Sequence, residues 1–541
     1  MSFSIPHSHP NHARDLSRRD EGRVFTILLA LYFLILYPIL RANRYYNDDL
    51  KRALIGHTGW DSNGRPLTTL LMKLLQCYDS GLVDISPLTQ IGAIAVLAWT
   101  GVLIARRYAL RSPWMATLIA FPLGAQPFYL ENLSYKFDAL SMSIAILLAL
   151  LPILTIANHR RGWWLGVLSL FASLNFYQPA VNVYLIFMLL EVVLAQLHDE
   201  PIPSWIKQFF LRVLQVGVAM LLYQLIIGIH IHGWVERESG KIHNLSQLPL
   251  IATNIGGFYR LIGNSFDQQW WTYFLPLLIM LAVFPVAIGI QYATTRRASH
   301  AAWINAALIL ISLVLPLAAL LCIAGPMLLL LTPEFEPRVL MGVGALLVAA
   351  LIVMQATLAQ WHRSPRWTLA AGCMLAVGMC SLASAYGNAL GEQKNYEDHI
   401  AAGMADDLAD LKAAKGIHGF LLDGNIGFSP ITGHVAEEFP MINKLISPYI
   451  ASADRFHTNE FLMYYVDGIT NVGRQTDAAN LHAQSDLLAK ARQSAVVRAT
   501  SGYSLRVVDN IAVVTLHSAP AQAYAAANRP AIGRSHATKQ Q

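Results

Sequence analysis

The chain has 541 residues, is 55% hydrophobic, carries only 13% charged residues and has a mean hydropathy of +0.42. Soluble domains average about 25% charged residues, so the composition excludes an ordinary soluble protein and points to an integral membrane protein. The net charge of +6 fits basic loop anchors better than nucleic-acid binding, and Cys77, Cys322, Cys373 and Cys380 show no CxxC or metal spacing, which argues against a disulfide framework or a structural zinc site.

Taken in chain order, residues 1–23 are polar and rich in proline and histidine. They read as a disordered cytoplasmic tail, because Pro6 and Pro10 keep His7, His9 and His12 from lining one face as metal ligands. The apolar run 24–40 has no small-residue cleavage site after it and reads as a retained signal-anchor. Further apolar runs cover 86–105, 114–127, 139–157, 163–175, 180–197, 213–232, 272–292, 302–324, 339–360 and 367–385. A hydrocarbon core of about 30 Å needs roughly 17–25 residues per helix, so the expectation is about eleven spans. The short runs 114–127 and 163–175 are expected to be tilted, extended by polar flanks or broken at proline.

Arginines set the orientation. Arg14, Arg18, Arg19 and Arg23 precede span one; Arg106, Arg107 and Arg111 follow span two; Arg160 and Arg161 follow span four. Arg296 and Arg297 follow span eight, and Arg363 and Arg366 follow span ten. With eleven spans all these clusters fall on the cytoplasmic side. The outer side then receives NDDLKR with its flanks, YLENLSYKFD (129–138), NFYQP (175–179), a long loop over 233–271, TPEFEPR (332–338) and everything after Tyr386.

The chain changes character after about Gly391. Ile400, Met404, Leu408 and Leu411 have the spacing of an amphipathic helix over 396–414. GFLLDG (419–424) reads as a buried strand, and 495–516 as three short antiparallel strands turning at Ser501-Gly502 and Asp509-Asn510. The fold class expected is an all-α polytopic membrane protein with a small C-terminal extracytoplasmic α/β domain. Its parts are a tail over 1–23, a transmembrane domain over 24–390, the outer domain over 391–517 and a disordered tail over 518–541.

Candidate chemistry gathers in the outer segments. Asp48 and Asp49 precede LKRALIG, where Asp48 as N-cap of a short surface helix explains the acids without any chemistry. Adjacent helical side chains diverge by about 100°, so one Asp is expected to face a reacting group and the other to hold the helix or a cation. Trp60 suits an interfacial anchor, and Arg65 suits a phosphate because its planar fork matches that group. Glu131, Lys136 and Asp138 crowd the mouth of span four, with Asp138 also readable as that span's N-cap. Glu334, Glu336 and Arg338 read either as a solvated loop or, for Arg338, as a phosphate contact. His230, His232 and His243 read as interfacial rather than metal-binding. No Walker A loop, dinucleotide fingerprint, HExxH or serine elbow occurs. Glu191 is the main charge inside a span, and such scarcity argues against ion-coupled transport.

Outside the cytoplasm there is no supply of nucleotide-activated substrates, so group transfer there needs a donor that arrives within the membrane. Polyprenyl-phosphate sugars meet that need. The protein would supply a cation for the leaving phosphate, from Arg65 or Arg338, and a base for the acceptor hydroxyl, from Asp48 or Asp49.

The tract YYNDDLKRALIGHTGWDSNGRPLTTLL resembles the N-terminal signature of the Gtr-type membrane glucosyltransferases, the serotype-conversion enzymes that glucosylate O-antigen. ISPLTQIGAIAVLA, AQPFYLENLSYKFDALSMSIAI and LNFYQPAVNVYLI resemble the next family blocks in the same order. The likeness is clearest over about residues 40–190. It implies a GT-C type fold and inverting transfer of glucose or a similar hexose from an undecaprenyl-phosphate donor to a cell-envelope glycan. It places the family's acidic pair on Asp48 and Asp49 and its second-loop acid on Asp138. Substrate contacts are then expected from Lys51, Trp60, Arg65, Glu131, Lys136, Asp138, Gln178 and Arg338. No cofactor is implied, and a divalent metal is left open. The partners implied are the lipid-linked donor, the glycan acceptor and membrane lipids, with dependence on a separate donor synthase and flippase and no nucleic acid. The location implied is the bacterial inner membrane. A flippase or transporter of lipid-linked sugar, or an O-antigen polymerase or ligase, is the competing class.

Overall fold

A computed structural model describes residues 17–77, 79–156, 160–231, 240–295, 301–452, 455–474 and 477–518. His7, His9, His12, Arg14, His232, Arg296, Arg297 and the segment 519–541 lie outside the described residues. Helix dominates among the described residues, and each apolar run overlaps at least one helix. Among the described residues, seven helices are long and apolar enough to cross a membrane by length and composition. They are Arg18–Ala42, Leu88–Arg107, Gln178–Leu197, Ile202–His230, Ala302–Leu321, Gly342–Gln360 and the 50-residue Arg366–Lys415. Pro113–Ala125 and Ala139–Leu154 are apolar but shorter. The first of these is divided into Pro113–Ala120 and Pro122–Ala125, because Pro122 has no N–H to close the bond to the preceding turn.

Two compact units make up the chain. One comprises Met1–Leu40 and Ile55–Ser384, the other Arg41–Leu54 and Ala385–Gln541. In the first, Leu88–Arg107 packs on Ala139–Leu154, which packs on Arg160–Phe176 and so on to Ile202–Ile226. Val181–Leu197 packs on Gly342–Gln360. Helices in lipid gain little from apolar burial against each other, so small residues that allow close approach matter. A Cβ at Gly344 would lie 2.7 Å from the Leu123 carbonyl oxygen and 2.8 Å from that of Pro122, so only glycine permits that crossing. The intraspan acid Glu191 is held between Arg107 at 2.8 Å and Arg212 at 3.4 Å, which neutralises it where it stands.

The segment 233–271, expected as a loop, contains the helix Pro249–Asn264 and the start of Gln268–Thr295. Pro249 looks like a breaker in sequence, yet it sits at the first helical position, where its missing N–H costs nothing. Asn254 then donates to the carbonyls of Leu328 and Leu330 at 3.0 and 2.8 Å. Likewise 367–385 and the amphipathic stretch 396–414 form one continuous helix, Arg366–Lys415, because no proline interrupts the residues joining them.

The second unit has a five-stranded mixed sheet in the order β2-β1-β5-β4-β3. Its strands are β1 (Gly419–Asp423), β2 (Thr470–Asn471), β3 (Arg498–Ala499), β4 (Tyr503–Val508) and β5 (Ile511–Leu516). β1 runs parallel to both β2 and β5, while β5–β4 and β4–β3 are antiparallel. The β4–β5 turn sits at Asp509 and Asn510, with φ of 51° and 58°, the left-handed pair that two-residue hairpins require. Period-2 alternation sends Phe420 and Leu422 to one face and Leu421 to the other. Phe420 and Leu422 join Ile400, Met404, Leu408 and Leu411 of the long helix in one core. Leu421 joins Leu487 and Ala491 of the helix Ala478–Gln493 in another.

Candidate active site

In the first unit the turn Trp60–Arg65 is closed by three backbone bonds. Asn63 N–H and Arg65 N–H donate to the Trp60 carbonyl at 3.1 and 2.8 Å, and Gly64 N–H donates to that of Asp61 at 3.0 Å. Gly64 has φ +71°, and a Cβ there would collide with the Tyr223 hydroxyl. Trp60 is fully buried and its indole N–H donates to Asp138 Oδ1 at 2.7 Å. Asp138 does stand at the N-cap of Ala139–Leu154, but its side chain makes no capping bond; it receives the indole instead.

Arg65 is aimed by its neighbours. Its Nε donates to Gln178 Oε1 at 3.1 Å, and its guanidinium carbon lies 4.6 Å from the centre of the Tyr177 ring. Among the described residues its two terminal nitrogens make no hydrogen bond. Arg338 differs. It meets Glu131 at 3.4 Å, Glu334 at 2.9 Å and the Tyr135 hydroxyl, and its backbone N–H also donates to Glu131 at 2.7 Å. Burial works against the Arg338 charge, but Tyr135, Glu131 and Glu334 more than offset it and hold the guanidinium protonated. Glu131 is 1% exposed, and burial pushes its carboxyl up to about 7 while Arg338 pulls the other way. Lys136 pairs with Asp84 at 3.2 Å. Burial disfavours the Asp84 charge, yet Ser86 and Lys136 hold that carboxyl below its usual range.

Tyr177 ties these groups together, since its ring carries Arg65 and its hydroxyl donates to the Arg338 carbonyl at 3.3 Å. Sequence reading passed over it, although it adjoins Gln178. It also passed over Asp84 and Tyr223; the latter sits in an apolar run that gives no signal.

Asp48, Asp49 and Lys51 belong to the second unit. Their helix is Asp49–Ile55, with Asp48 immediately before it. Arg52 N–H donates to the Asp48 carbonyl at 3.1 Å, so Asp48 does stand at the helix start. The preceding NRYYN is anchored by residues far along the chain. Arg44 donates to Glu397 at 2.8 Å, with both side chains buried, and lies 3.9 Å from the Tyr449 ring centre. Tyr46 O–H donates to the Leu445 carbonyl at 2.8 Å, and Asn47 N–H to Tyr449 Oη at 2.7 Å. The two aspartates have opposite surroundings. Asp49 is fully buried and accepts from Tyr46 N–H at 3.4 Å. The Asp48 side chain is 49% exposed, 3.7 Å from Arg52. Lys51 lies 4.0 Å from Glu460, a carboxyl that burial pushes up to about 7. Among the described residues no group of three or more His, Cys, Asp or Glu is arranged to hold a metal ion.

The family model described as glucosyl transferase GtrII matches residues 37–349, more than half of the chain. A protein of Salmonella phage P22, named as an uncharacterized 55.3 kDa protein in the gtrB 5′ region, is 25% identical over 440 residues, covering 80% of this chain and 88% of its own length. No solved structure matches.

Proposed function

Because the chain belongs to the glucosyl transferase GtrII family and is a multi-pass membrane protein, with seven span-competent helices among its described residues, we propose that it transfers glucose, or a similar hexose, from a polyprenyl-phosphate donor to O-antigen. The reaction runs on the periplasmic face of the bacterial inner membrane, on a GT-C type scaffold with a cytoplasmic N-terminus. The observation that carries this reading is the Arg65 fork, held at Nε and over Tyr177 with both terminal nitrogens unengaged among the described residues. Such an edge suits two oxygens of one phosphate. Arg338, already surrounded by Glu131, Glu334 and Tyr135, suits that task less. The phage relative's name places it in the 5′ region of gtrB; dependence on a separate donor synthase and flippase is part of the proposal.

In the step proposed, an acceptor hydroxyl oxygen forms a bond to the anomeric carbon as the carbon–oxygen bond to phosphate breaks. The electron pair leaves with the phosphate, whose growing charge Arg65 stabilises. The hydroxyl proton passes to an aspartate, and attack from the far side inverts the anomeric centre. Of the two aspartates, exposure favours Asp48 as base, since Asp49 is enclosed. Membranes holding full-length enzyme, undecaprenyl-phosphate glucose and O-antigen acceptor test this. Asp48→Asn is expected to lose transfer by about 10²–10⁴-fold. Full transfer by properly inserted Asp48→Asn overturns the base assignment, and equal use of a nucleotide-linked glucose overturns the donor.

A further inference from the structure

Resting on the reading of Arg65 just given, we propose that Tyr223 is a positioning residue for the donor phosphate, acting with Gln178 as a clip that aims the Arg65 fork. The Gln178 side chain has one acceptor and two donors, and each is committed. Its Oε1 accepts from Arg65 Nε at 3.1 Å. Its Nε2 donates to Tyr223 Oη at 2.8 Å and to the Asn63 carbonyl at 3.0 Å, with the Gly64 carbonyl at 3.5 Å. Tyr223 O–H donates in turn to the Gly64 carbonyl at 2.9 Å.

These bonds fix the amide's direction. Turned over, Gln178 would set its N–H₂ against Arg65 Nε, donor against donor, and its oxygen against two carbonyls. The Tyr223 hydroxyl adds a partner for each orientation-setting group: it accepts from the amide and donates to the turn that carries Arg65. The same clip therefore holds the backbone of the Asn63–Gly64–Arg65 turn and the side chain that leaves it. The Tyr177 ring adds a third contact, with the guanidinium carbon 4.6 Å from its centre. An arginine otherwise samples many rotamers, and a fork pays off for a phosphate only when its plane is set beforehand.

The test is a double-mutant cycle in membranes with full-length enzyme, using undecaprenyl-phosphate glucose as donor. Tyr223→Phe removes one hydroxyl and keeps the ring. The expected result is a donor KM raised roughly tenfold, the effect of losing about one well-placed hydrogen bond, with the acceptor KM within twofold. Arg65→Lys keeps the charge but loses the fork, and is expected to weaken donor use by about tenfold or more. If Tyr223 acts through Arg65, adding Tyr223→Phe to Arg65→Lys changes the donor KM by less than about twofold. Gln178→Leu should behave in the same way and serves as the second variant. A tenfold loss that persists in the Arg65→Lys background overturns the clip, as does a Tyr223→Phe enzyme with unchanged donor KM. Unimpaired Arg65→Lys overturns the reading of Arg65 itself, an outcome distinct from the other two.

Discussion

Glu460 has Lys51 4.0 Å away, with Asp48, His457 and Arg474 also acting on its charge, and burial pushes its carboxyl from an ordinary 4.5 up to about 7. The folded state therefore holds this proton at pH values where the unfolded chain has lost it. By linkage the group costs stability progressively as pH rises from about 4.5 through 7, and its full cost applies above that. Glu460→Gln is expected to flatten the fall of the unfolding midpoint between about pH 5 and 8, read by tryptophan fluorescence in detergent. A slope equal to wild type would show that Glu460 does not titrate there. Gly64→Ala belongs to the same scale. A methyl group at φ +71° meets the Tyr223 hydroxyl, so a loss of ~1–2 kcal/mol is expected, together with a raised donor KM. The sequence singles out the candidate residues one at a time: Asp48, Asp49, Lys51, Trp60, Arg65, Glu131, Lys136, Asp138, Gln178 and Arg338 are charged, amide or indole groups that stand between apolar runs. Their pairings were not legible. Trp60 reaches Asp138 across 78 positions and Arg338 reaches Glu131 across 207, and no local pattern encodes such separations.

Between Asp509 and Asn510 the β4–β5 turn needs two left-handed residues in succession. Asn510→Gly should leave the unfolding midpoint equal or higher, whereas Asn510→Val should lower it, because a β-branched residue is strained at positive φ. Equal midpoints for the two variants would contradict the turn geometry. The strands around this turn could be read from their period-2 pattern and flanking turn residues, as could β1. β2 could not, being two residues long and defined only by its pairing with β1. The helices showed the converse problem. Apolar runs located them, but their ends depended on whether a proline stood at a first turn, as Pro249 does, or inside a run, as Pro122 does. Arg44 and Glu397 join two elements by a buried charge pair. Glu397→Leu alone would strand the Arg44 charge and is expected to cost about 3–5 kcal/mol, much of it recovered in Arg44→Met/Glu397→Leu. Comparison of thermal unfolding for the single and double variants checks this; failure of the double to recover would assign the pair a role other than mutual neutralisation.

For the molecule as a whole, the arginine clusters predict which side each segment faces. Single cysteines placed at Ser364 and Ser494 in a cysteine-free background should react differently with a membrane-impermeant maleimide added to spheroplasts. Ser494→Cys is expected to label and Ser364→Cys to stay protected until the membrane is opened; the reverse pattern would invert the proposed orientation. The anchoring of NRYYNDD has a further consequence, in the order of events during synthesis. Arg44 leaves the ribosome 353 residues before Glu397 and Tyr449 follows Asn47 by 402. At about 5–20 residues per second the first gap alone lasts roughly 20–70 s. Throughout that interval the Arg44 charge lacks its carboxylate and Leu50 lacks the core it will join. The motif that opens the family match is thus among the last parts of this protein to mature, and a chain that stops near residue 384 would carry its sequence without its shape.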